Sequence, residues 1–235
     1  MEHPGSGGID LTRRLAGDVA VVTGGSHGIG LAIAHRLSAE GASVAILARN
    51  EVRSRAAADE IVSRGGVAIA IACDVTKREQ VQAAIDGVIA HFGKVSVLVN
   101  DAGIFRSASF LDTTDQMWTE LVNTNLMGMF IVGQVCARQM VSQGSGRIVN
   151  MSSSAAHIAH SDQTVYAVSK AGIEGLTRAM AFELAPLGIG VNAVAPGTIE
   201  TSFSVGALSA EAIAERVRRI PIGRLGTAEE VAAVV

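Results

Sequence analysis

A glycine-rich turn between a buried strand and a helix constrains the fold of this chain more than any other feature. Residues Asp18 to Thr23 form a short apolar, β-branched run that is typical of a buried strand. The turn Thr23-Gly-Gly-Ser-His-Gly-Ile-Gly30 follows directly, and Leu31 to Glu40 then has the apolar spacing of a helix. Glycines let the backbone turn tightly and approach a pyrophosphate, whose charge is bound by N–H groups at the helix N-terminus. The sequence therefore predicts a dinucleotide-binding loop.

Strand-like and helix-like segments alternate along the rest of the chain. Short apolar runs that we predict as strands lie at Ala42–Ala48, Val67–Cys73, Val95–Val99, Gly146–Met151 and Gly190–Ala195. This alternation predicts a parallel sheet with right-handed crossovers and helices on both faces. We therefore expect one α/β domain of the three-layer, doubly wound Rossmann type at residues 15–235, after a flexible leader at residues 1–14.

The composition excludes several other classes of protein. Hydrophobic residues make up 49% of the 235 residues and charged residues only 17%, which is too apolar for a disordered chain and suits a sheet buried on both faces. The net charge of -3 argues against a nucleic-acid partner, and no apolar run approaches the ~18 residues of a membrane span. Cys73 and Cys136 lack metal-ligand spacing. We interpret them as reduced core residues of a cytoplasmic protein without a metal site.

Tyr166 and Lys170 are the side chains that we expect to carry chemistry. They lie four residues apart in the segment Tyr-Ala-Val-Ser-Lys, so in a helix they project from the same face. An ammonium roughly 5 Å away, at an effective dielectric constant of about 20, would lower the pKa of a tyrosine by about two units. That change brings the phenol towards the range of a general acid–base. Taken alone, the pair also fits the exposed face of an amphipathic helix.

The end of the second strand bears on the choice of cofactor. About 20 residues beyond a glycine turn, an acidic residue ordinarily binds the adenosine ribose and selects NAD(H). Here Ala48 occupies that place and Arg49 follows it. A guanidinium can pair with the 2′-phosphate of NADP(H), whereas His27 is mostly neutral at pH 7 and adds little charge. The sequence therefore favours NADP(H), although a solvated arginine at a strand end is the alternative for Arg49.

Five motifs in this order resemble those of the classical short-chain dehydrogenase/reductase family, and the resemblance extends over nearly the whole chain from about Leu15. The glycine turn follows the spacing Thr-Gly-x-x-x-Gly-x-Gly of that family. The segment Asn100-Asp-Ala-Gly103 departs from the usual Asn-Asn-Ala-Gly, because an ionised Asp101 accepts hydrogen bonds but cannot donate them. Within the family, the chain looks most like the 3-oxoacyl-acyl-carrier-protein reductase type.

The resemblance implies four catalytic residues. In the reductive direction Tyr166 would give its proton to a carbonyl oxygen, while Lys170 would lower the pKa of the tyrosine and bond the nicotinamide ribose. Ser153, which lies 13 residues before Tyr166, would orient the carbonyl, although chemistry alone leaves the choice among the three serines after Gly146–Met151 open. Asn125 would support a water that links the lysine to solvent. An asparagine within a helix can also simply bond to the backbone.

The resemblance also implies a cofactor site along the carboxyl ends of the strands. The expected cofactor-binding residues are, in chain order, Thr23, Gly24, Ser26, His27, Gly28, Ile29, Gly30, Arg49, Asn50, Asp74, Val75, Asn100, Ala102, Gly103, Tyr166, Lys170, Pro196, Gly197, Ile199 and Thr201. Asp74 would contact the adenine ring, or alternatively it would cap a helix that starts near Lys77. The turn Pro196–Gly197 would cup the nicotinamide, with Ile199 and Thr201 binding its carboxamide or, for Thr201, the pyrophosphate.

The segments that follow the fifth and sixth strands bear on the substrate. Residues 202–219 have a helical pattern and predict a mobile lid over the substrate. His157 and His160 are predicted either to line the pocket or to face solvent. The residues of these two segments are compatible with more than one class of substrate.

The last part of the chain bears on topology and assembly. The resemblance implies the strand order 3-2-1-4-5-6, with the usual seventh strand missing, and a final helix at Thr227–Val235. A sixth strand at the edge of the sheet would expose its backbone to pairing. The family also suggests a homodimer or homotetramer, with a dimer formed through helices at Asn125–Val141 and Val165–Leu187.

The predicted activity is hydride transfer between a nicotinamide, NADP(H) rather than NAD(H), and a carbonyl or secondary alcohol. We expect a small 3-oxoacyl thioester or ketone as the substrate. A glucose-type sugar dehydrogenase or a secondary-alcohol dehydrogenase is the alternative, and a non-catalytic dinucleotide-binding protein is the second. An extended-type epimerase or dehydratase would need a further substrate domain, which we do not expect in 235 residues.

Overall fold

A single parallel sheet forms the centre of the structure, a computed structural model that describes residues 13–206 and 209–235. The strands are β1 Val19–Thr23, β2 Ser43–Ala48, β3 Val67–Ala72, β4 Val97–Asn100, β5 Gly146–Met151 and β6 Ile189–Val194. Their order is β3-β2-β1-β4-β5-β6, which confirms the predicted topology. The described residues contain no seventh strand, and residues 1–12 of the predicted leader lie outside them.

Helices connect the strands and cover both faces of the sheet. They are α1 Gly28–Ala39, α2 Glu51–Ser63, α3 Arg78–Phe92, α4 Asp115–Val122, α5 Gly128–Gln143, α6 Thr164–Leu184, α7 Ser202–Val205, α8 Ala210–Arg218 and α9 Ala228–Ala232. A π-helical turn at Asn123–Met127 joins α4 to α5. Turns of this kind are frequent at functional sites.

The residues of β1 show why the fold has three layers. All five are buried, and successive side chains point to opposite faces of the sheet. Val19 and Val21 pack in a core with residues of α3 and α5, whereas Ala20 and Val22 pack with residues of α1, α2 and α9. Because the sheet is apolar on both faces, it needs helices on both.

The two cysteines lie in the core that contains α3 and α5. Cys73 and Cys136 are buried free thiols, as the sequence predicted. Burial raises the pKa of Cys73 to about 11 and that of Cys136 to about 12, so both are protonated at neutral pH. Among the described residues, no group of His, Cys, Asp or Glu side chains is arranged to hold a metal ion. No described helix combines the length and apolar character that crossing a bilayer requires.

The carboxyl ends of β1, β4 and β5 form a crevice at one edge of the sheet. Thr23 ends β1, Asn100 ends β4 and Met151 ends β5. From β1 the sheet extends to one side through β2 and β3 and to the other side through β4, β5 and β6, so the strand order switches between β1 and β4. Open α/β sheets bind their ligands at such a switch point. The expected site residues gather around this crevice.

Candidate active site

The glycine turn packs so closely against neighbouring backbone that side chains are excluded from it. Gly24 has φ +71°, and a Cβ atom there would lie 3.0 Å from Ala102 Cα. A Cβ atom at Gly30 would lie 2.6 Å from the carbonyl oxygen of Gly24. The α1 helix starts inside this turn, and His27 at its N-cap makes no side-chain capping bond. The turn therefore offers backbone N–H groups at a helix N-terminus, which fits a dinucleotide pyrophosphate.

Thr23 ties the glycine turn to the loop after β4. Its buried Oγ1 accepts hydrogen bonds from the backbone N–H groups of Asp101 and Ala102, both at 3.1 Å. The Thr23 hydroxyl therefore has partners within the protein, and cofactor binding at Thr23 stays a prediction. The predicted Gly103 follows in this loop, where a Cβ atom would lie 3.3 Å from Asn125 Oδ1.

The side chain of Asn100 lies in the core rather than in the crevice. It is 1% exposed, and its Nδ2 donates to Asn150 Oδ1 at 3.0 Å. Asn150 in turn donates through Nδ2 to Thr177 Oγ1 at 3.0 Å. Any contact of Asn100 with a cofactor would therefore be made by its backbone, and cofactor binding at this residue stays a prediction. Sequence analysis did not identify Asn150, although an amide in an otherwise apolar strand marks a buried polar contact.

Asn125, in the π-helical turn, clamps the loop after β4. Its Oδ1 accepts from the N–H of Ile104 at 2.8 Å, and its Nδ2 donates to the carbonyl of Ile104 at 3.0 Å. The same Nδ2 lies 3.2 Å from Ser169 Oγ on α6, directly before Lys170. Asn125 therefore bonds to the backbone of another segment rather than to its own helix. It joins the crevice loop to the helix that carries Tyr166.

Tyr166 and Lys170 project from one face of α6, as the spacing predicted. Lys170 Nζ lies 5.6 Å from the centroid of the Tyr166 ring and donates to the carbonyl of Met151 at 2.7 Å. Lys170 is 7% exposed, and burial lowers its pKa to about 8 against the opposing charge of Asp101.

The pKa of Tyr166 moves in the direction opposite to our expectation. Burial raises it, a hydrogen bond from the Ser153 hydroxyl lowers it, and the charge of Asp101 raises it further. The net pKa of Tyr166 is therefore raised, where we expected Lys170 to lower it. Loss of hydration outweighs the ammonium, whose proton is directed at the Met151 carbonyl.

The structure separates the roles of the serines after β5. Ser153 faces the Tyr166 hydroxyl and accepts the N–H of Ala155 at 3.2 Å. Ser152 is buried and donates to Glu174 Oε1 at 3.0 Å. Of these two, only Ser153 is placed to hold a carbonyl oxygen beside Tyr166.

Aromatic side chains border the substrate side of Tyr166. The Phe105 ring meets the Tyr166 ring edge to face, with centroids 5.1 Å apart, and lies 6.1 Å from the Phe203 ring of α7. His157 and His160 are both exposed, and His157 Nε2 pairs with Glu174 Oε1 at 2.8 Å. Sequence analysis did not single out the two phenylalanines.

The loop after β6 closes the crevice from the other side. The carbonyl of Pro196 accepts the N–H of Ser154 at 2.9 Å, and Ile199 is buried and bridges to Gly226. A Cβ atom at Gly28 would lie 3.6 Å from Thr201 Cγ2, so this loop faces the glycine turn. The predicted lid contains α7 and α8, while residues 207 and 208 lie outside the described part of the chain.

The adenosine end of the crevice lies beyond β2. Arg49 is exposed at the end of that strand, and its charge acts on Asp74. Asn50 caps α2, because its Oδ1 accepts the N–H of Arg53 at 2.9 Å. Burial, followed by the charge of Arg53, lowers the pKa of His27 at the N-cap of α1. Sequence analysis missed Arg53, although it lies four residues after Arg49.

Asp74 does not cap the following helix. Its Oδ1 accepts from the N–H of Thr76 at 3.0 Å and from Thr76 Oγ1 at 2.8 Å, whereas Lys77 holds the N-cap position of α3. The capping alternative is therefore wrong, because the chain makes a turn before the helix begins. Val75 is 6% exposed and packs against Gly128, which leaves its backbone for a cofactor contact.

Comparisons with known proteins agree with this geometry. A family model described as short chain dehydrogenase matches residues 18–212. The short-chain reductase protein NovJ of Streptomyces niveus is 41% identical over 223 residues, which are 92% of this chain and 85% of that protein. The 3-oxoacyl-acyl-carrier-protein reductase FabG of Aquifex aeolicus is 40% identical over 94% of this chain and 90% of its own length.

A solved structure shows the same fold with a cofactor. It is a crystal structure of a putative NAD(P)-dependent gluconate 5-dehydrogenase from Beutenbergia cavernae with bound NADP at low occupancy. Its TM-score is 0.89 at 37% identity, over 95% of this chain and 90% of that one.

Proposed function

The chain belongs to the short-chain dehydrogenase family, and from that premise we propose that it reduces 3-oxoacyl thioesters or related ketones with NADPH. The family makes it an NAD(P)-dependent oxidoreductase that acts on CH–OH and C=O groups. The observation that carries the proposal is the Tyr166 side chain, which is half-buried, bonds Ser153 through its hydroxyl and lies on the helix face that carries Lys170. A bound nicotinamide supplies or accepts the hydride.

The side chains around Tyr166 have separate roles in orienting the substrate, binding the cofactor and transferring the proton. Ser153 holds the carbonyl oxygen of the substrate beside the Tyr166 hydroxyl, and Tyr166 donates the proton to that oxygen. Lys170 binds the nicotinamide ribose, and Asn125 keeps the loop after β4 fixed against α6 and supports the water of the proton relay.

The residues at the far end of the crevice support NADP(H) over NAD(H). Arg49 follows β2 and Arg53 lies in the first turn of α2, and we assign both guanidinium groups to the 2′-phosphate of NADP(H). The solved relative from Beutenbergia cavernae contains NADP. Pyrophosphate binding is assigned to the glycine turn, which is packed too tightly for a Cβ atom at Gly24 or Gly30 and leads into the N-terminus of α1.

The aromatic border of the pocket favours apolar ketones and acyl thioesters over sugars. Phe105 and Phe203 lie beside Tyr166 and would offer apolar surface to an acyl chain or a ketone substituent. The alternative substrate class is a sugar acid or secondary alcohol, because one solved relative is described as a putative gluconate 5-dehydrogenase. The cytoplasmic location inferred from composition stays a prediction.

The function is tested by following the loss of NADPH absorbance with an acetoacetyl thioester and a panel of ketones, and the gain with NADP⁺ and gluconate. We expect turnover of the thioester or a ketone, and at least a ~100-fold lower kcat in Tyr166→Phe, as for loss of a general acid. Ser153→Ala should also lose activity, whereas the neighbouring Ser152→Ala should keep most of it. Turnover unaffected by Tyr166→Phe would refute the mechanism, and a cofactor-binding protein without turnover would leave a non-catalytic role.

A further inference from the structure

The carboxylate of Glu174 binds both ends of the loop that carries Ser153, and the chemistry above does not use it. Glu174 Oε1 accepts a hydrogen bond from Ser152 Oγ at 3.0 Å and pairs with His157 Nε2 at 2.8 Å. Ser152 directly follows β5, while Ser153 and His157 flank a short 3₁₀ turn. One oxygen atom on α6 therefore contacts the first and the last residue of the segment 152–157, which we call the serine loop.

Glu174 lies on the side of α6 that carries the catalytic pair. It is four residues beyond Lys170, which itself is four residues beyond Tyr166, so the three side chains follow one another along the helix. The side chain of Glu174 is 17% exposed, and Ser152 is 4% exposed. A hydrogen bond to a carboxylate is stronger than one between neutral groups, and solvent screens it less where the partners are buried. These contacts therefore fix the serine loop against the catalytic face of α6.

Hydrogen bonds inside the serine loop connect these contacts to Ser153. The hydroxyl of Ser153 accepts the N–H of Ala155 at 3.2 Å, and its carbonyl accepts the N–H of Ala156 at 3.0 Å. The same hydroxyl bonds Tyr166. The group that faces the catalytic tyrosine thus belongs to a compact turn, and Glu174 binds that turn at both ends.

We propose that Glu174 is a positioning residue that keeps the Ser153 hydroxyl beside the Tyr166 hydroxyl. It acts through Ser152 and His157 rather than on the substrate. Ser153 can orient a carbonyl oxygen only while its hydroxyl lies within hydrogen-bond distance of that oxygen, and a displacement of about 1 Å is costly to catalysis. The catalytic consequence rests on the proposed function, but the effect of Glu174 on the serine loop does not.

Hydrogen exchange followed by mass spectrometry tests the serine loop independently of activity. In Glu174→Ala the backbone amides of residues 152–157 should exchange roughly 10-fold faster than in wild type, because both contacts of the carboxylate are lost. Glu174→Gln keeps an oxygen acceptor and should restore most of the slow exchange. Glu183→Ala removes an exposed carboxylate further along α6 and should leave the exchange of the loop unchanged. Equal exchange of the loop in wild type and Glu174→Ala would overturn the proposal.

Steady-state kinetics distinguish positioning of Ser153 from a general loss of stability. Glu174→Ala should lower kcat about 10- to 100-fold, as for a misplaced catalytic group, and should leave the KM for NADPH within about 2-fold of wild type. In a Ser153→Ala background the same change should alter kcat by less than about 2-fold, because Glu174 acts through Ser153. An unchanged kcat in Glu174→Ala, or an equally large loss in the Ser153→Ala background, would count against the proposal.

The double variant Ser152→Ala/His157→Ala decides the question if Glu174→Ala does not fold. It removes both donors and keeps the carboxylate, so it should reproduce the faster exchange and the lower kcat. Ser152→Ala alone keeps the contact between His157 and Glu174 and with it most of the activity. A folded double variant that behaves like wild type would overturn the proposal. If wild type turns over no substrate, the proposed function fails, and hydrogen exchange still decides on Glu174.

Discussion

Two buried amides hold β4 and β5 together behind the crevice. Asn100 donates to Asn150, and Asn150 donates to Thr177 of α6, so the amides link two strands and the catalytic helix. Both asparagines are almost completely buried. A buried polar group that loses its partner keeps its desolvation cost. Residues expected to bind ligand by their place in a motif can therefore act on the site through the scaffold alone.

Replacing Asn100 tests this structural role. We expect Asn100→Ala to lower the free energy of unfolding by about 1–3 kcal/mol, because Asn150 Oδ1 loses its donor in the core. Asn192→Ala, which removes an exposed amide from β6, should change it by less than about 0.5 kcal/mol. Urea denaturation measures both. A stable Asn100→Ala protein with a greatly raised KM for NADPH would contradict the assignment.

A helix cap and two arginines lie next to one another at the start of α2. Asn50 accepts the N–H of Arg53, which fixes the backbone of Arg53 close to the end of β2. Arg49 follows β2, and its charge helps to lower the pKa of Asp74, while the charge of Arg53 helps to lower the pKa of His27. One local capping motif thereby brings two guanidinium groups to the same end of the crevice.

The two arginines can be tested through cofactor preference. Arg49→Ala and Arg53→Ala should each reduce the ratio of kcat/KM with NADPH to that with NADH by about 10-fold or more, as for loss of a charged hydrogen bond of about 1.5–3 kcal/mol. Efficiency with NADH should stay within about 2-fold, because NADH lacks the 2′-phosphate. Arg55→Ala, paired with Glu51 at 2.8 Å on the exposed side of α2, serves as the control. A ratio that does not respond to either change would count against NADP(H) selection here.

Exposed apolar side chains on α5 and α6 form a surface that favours association with a second copy of the chain. Phe130, Val141 and Val168 are more than one third exposed, and Phe182 is 86% exposed. Large apolar groups that water surrounds in a single chain favour association. These side chains lie on the helices of the dimer suggested by the family resemblance, which supports the proposal of a homodimer through α5 and α6, or a homotetramer built from it.

Phe182→Asp should weaken that association. A buried carboxylate without a partner opposes an apolar interface, so we expect a smaller assembly by sedimentation velocity at equal protein concentration. Phe110→Asp places the same charge on a ring that is 74% exposed in the loop before α4, and it should leave the assembly unchanged. Equal masses for wild type and Phe182→Asp would refute this interface.

Local sequence patterns were sufficient to predict the strands and the glycine turn. Apolar runs of β1 to β6 marked their strands to within two residues at either end, because the alternation of strands and helices is a property of neighbouring residues. The four-residue spacing placed Tyr166 and Lys170 on one face of α6 for the same reason. The turn before α1 could be predicted because only glycine fits such a close approach of backbone.

The electrostatic state of the site and the roles of its amides arose from contacts between distant segments. Asn100 meets Asn150, and Asn125 meets Ile104, only after the strands and helices have packed together. The pKa of Tyr166 rises because the assembled layers remove water from the phenol and bring Asp101 towards it. No spacing along the chain encodes that loss of hydration, since it depends on how α6 packs against the loops after β4 and β5.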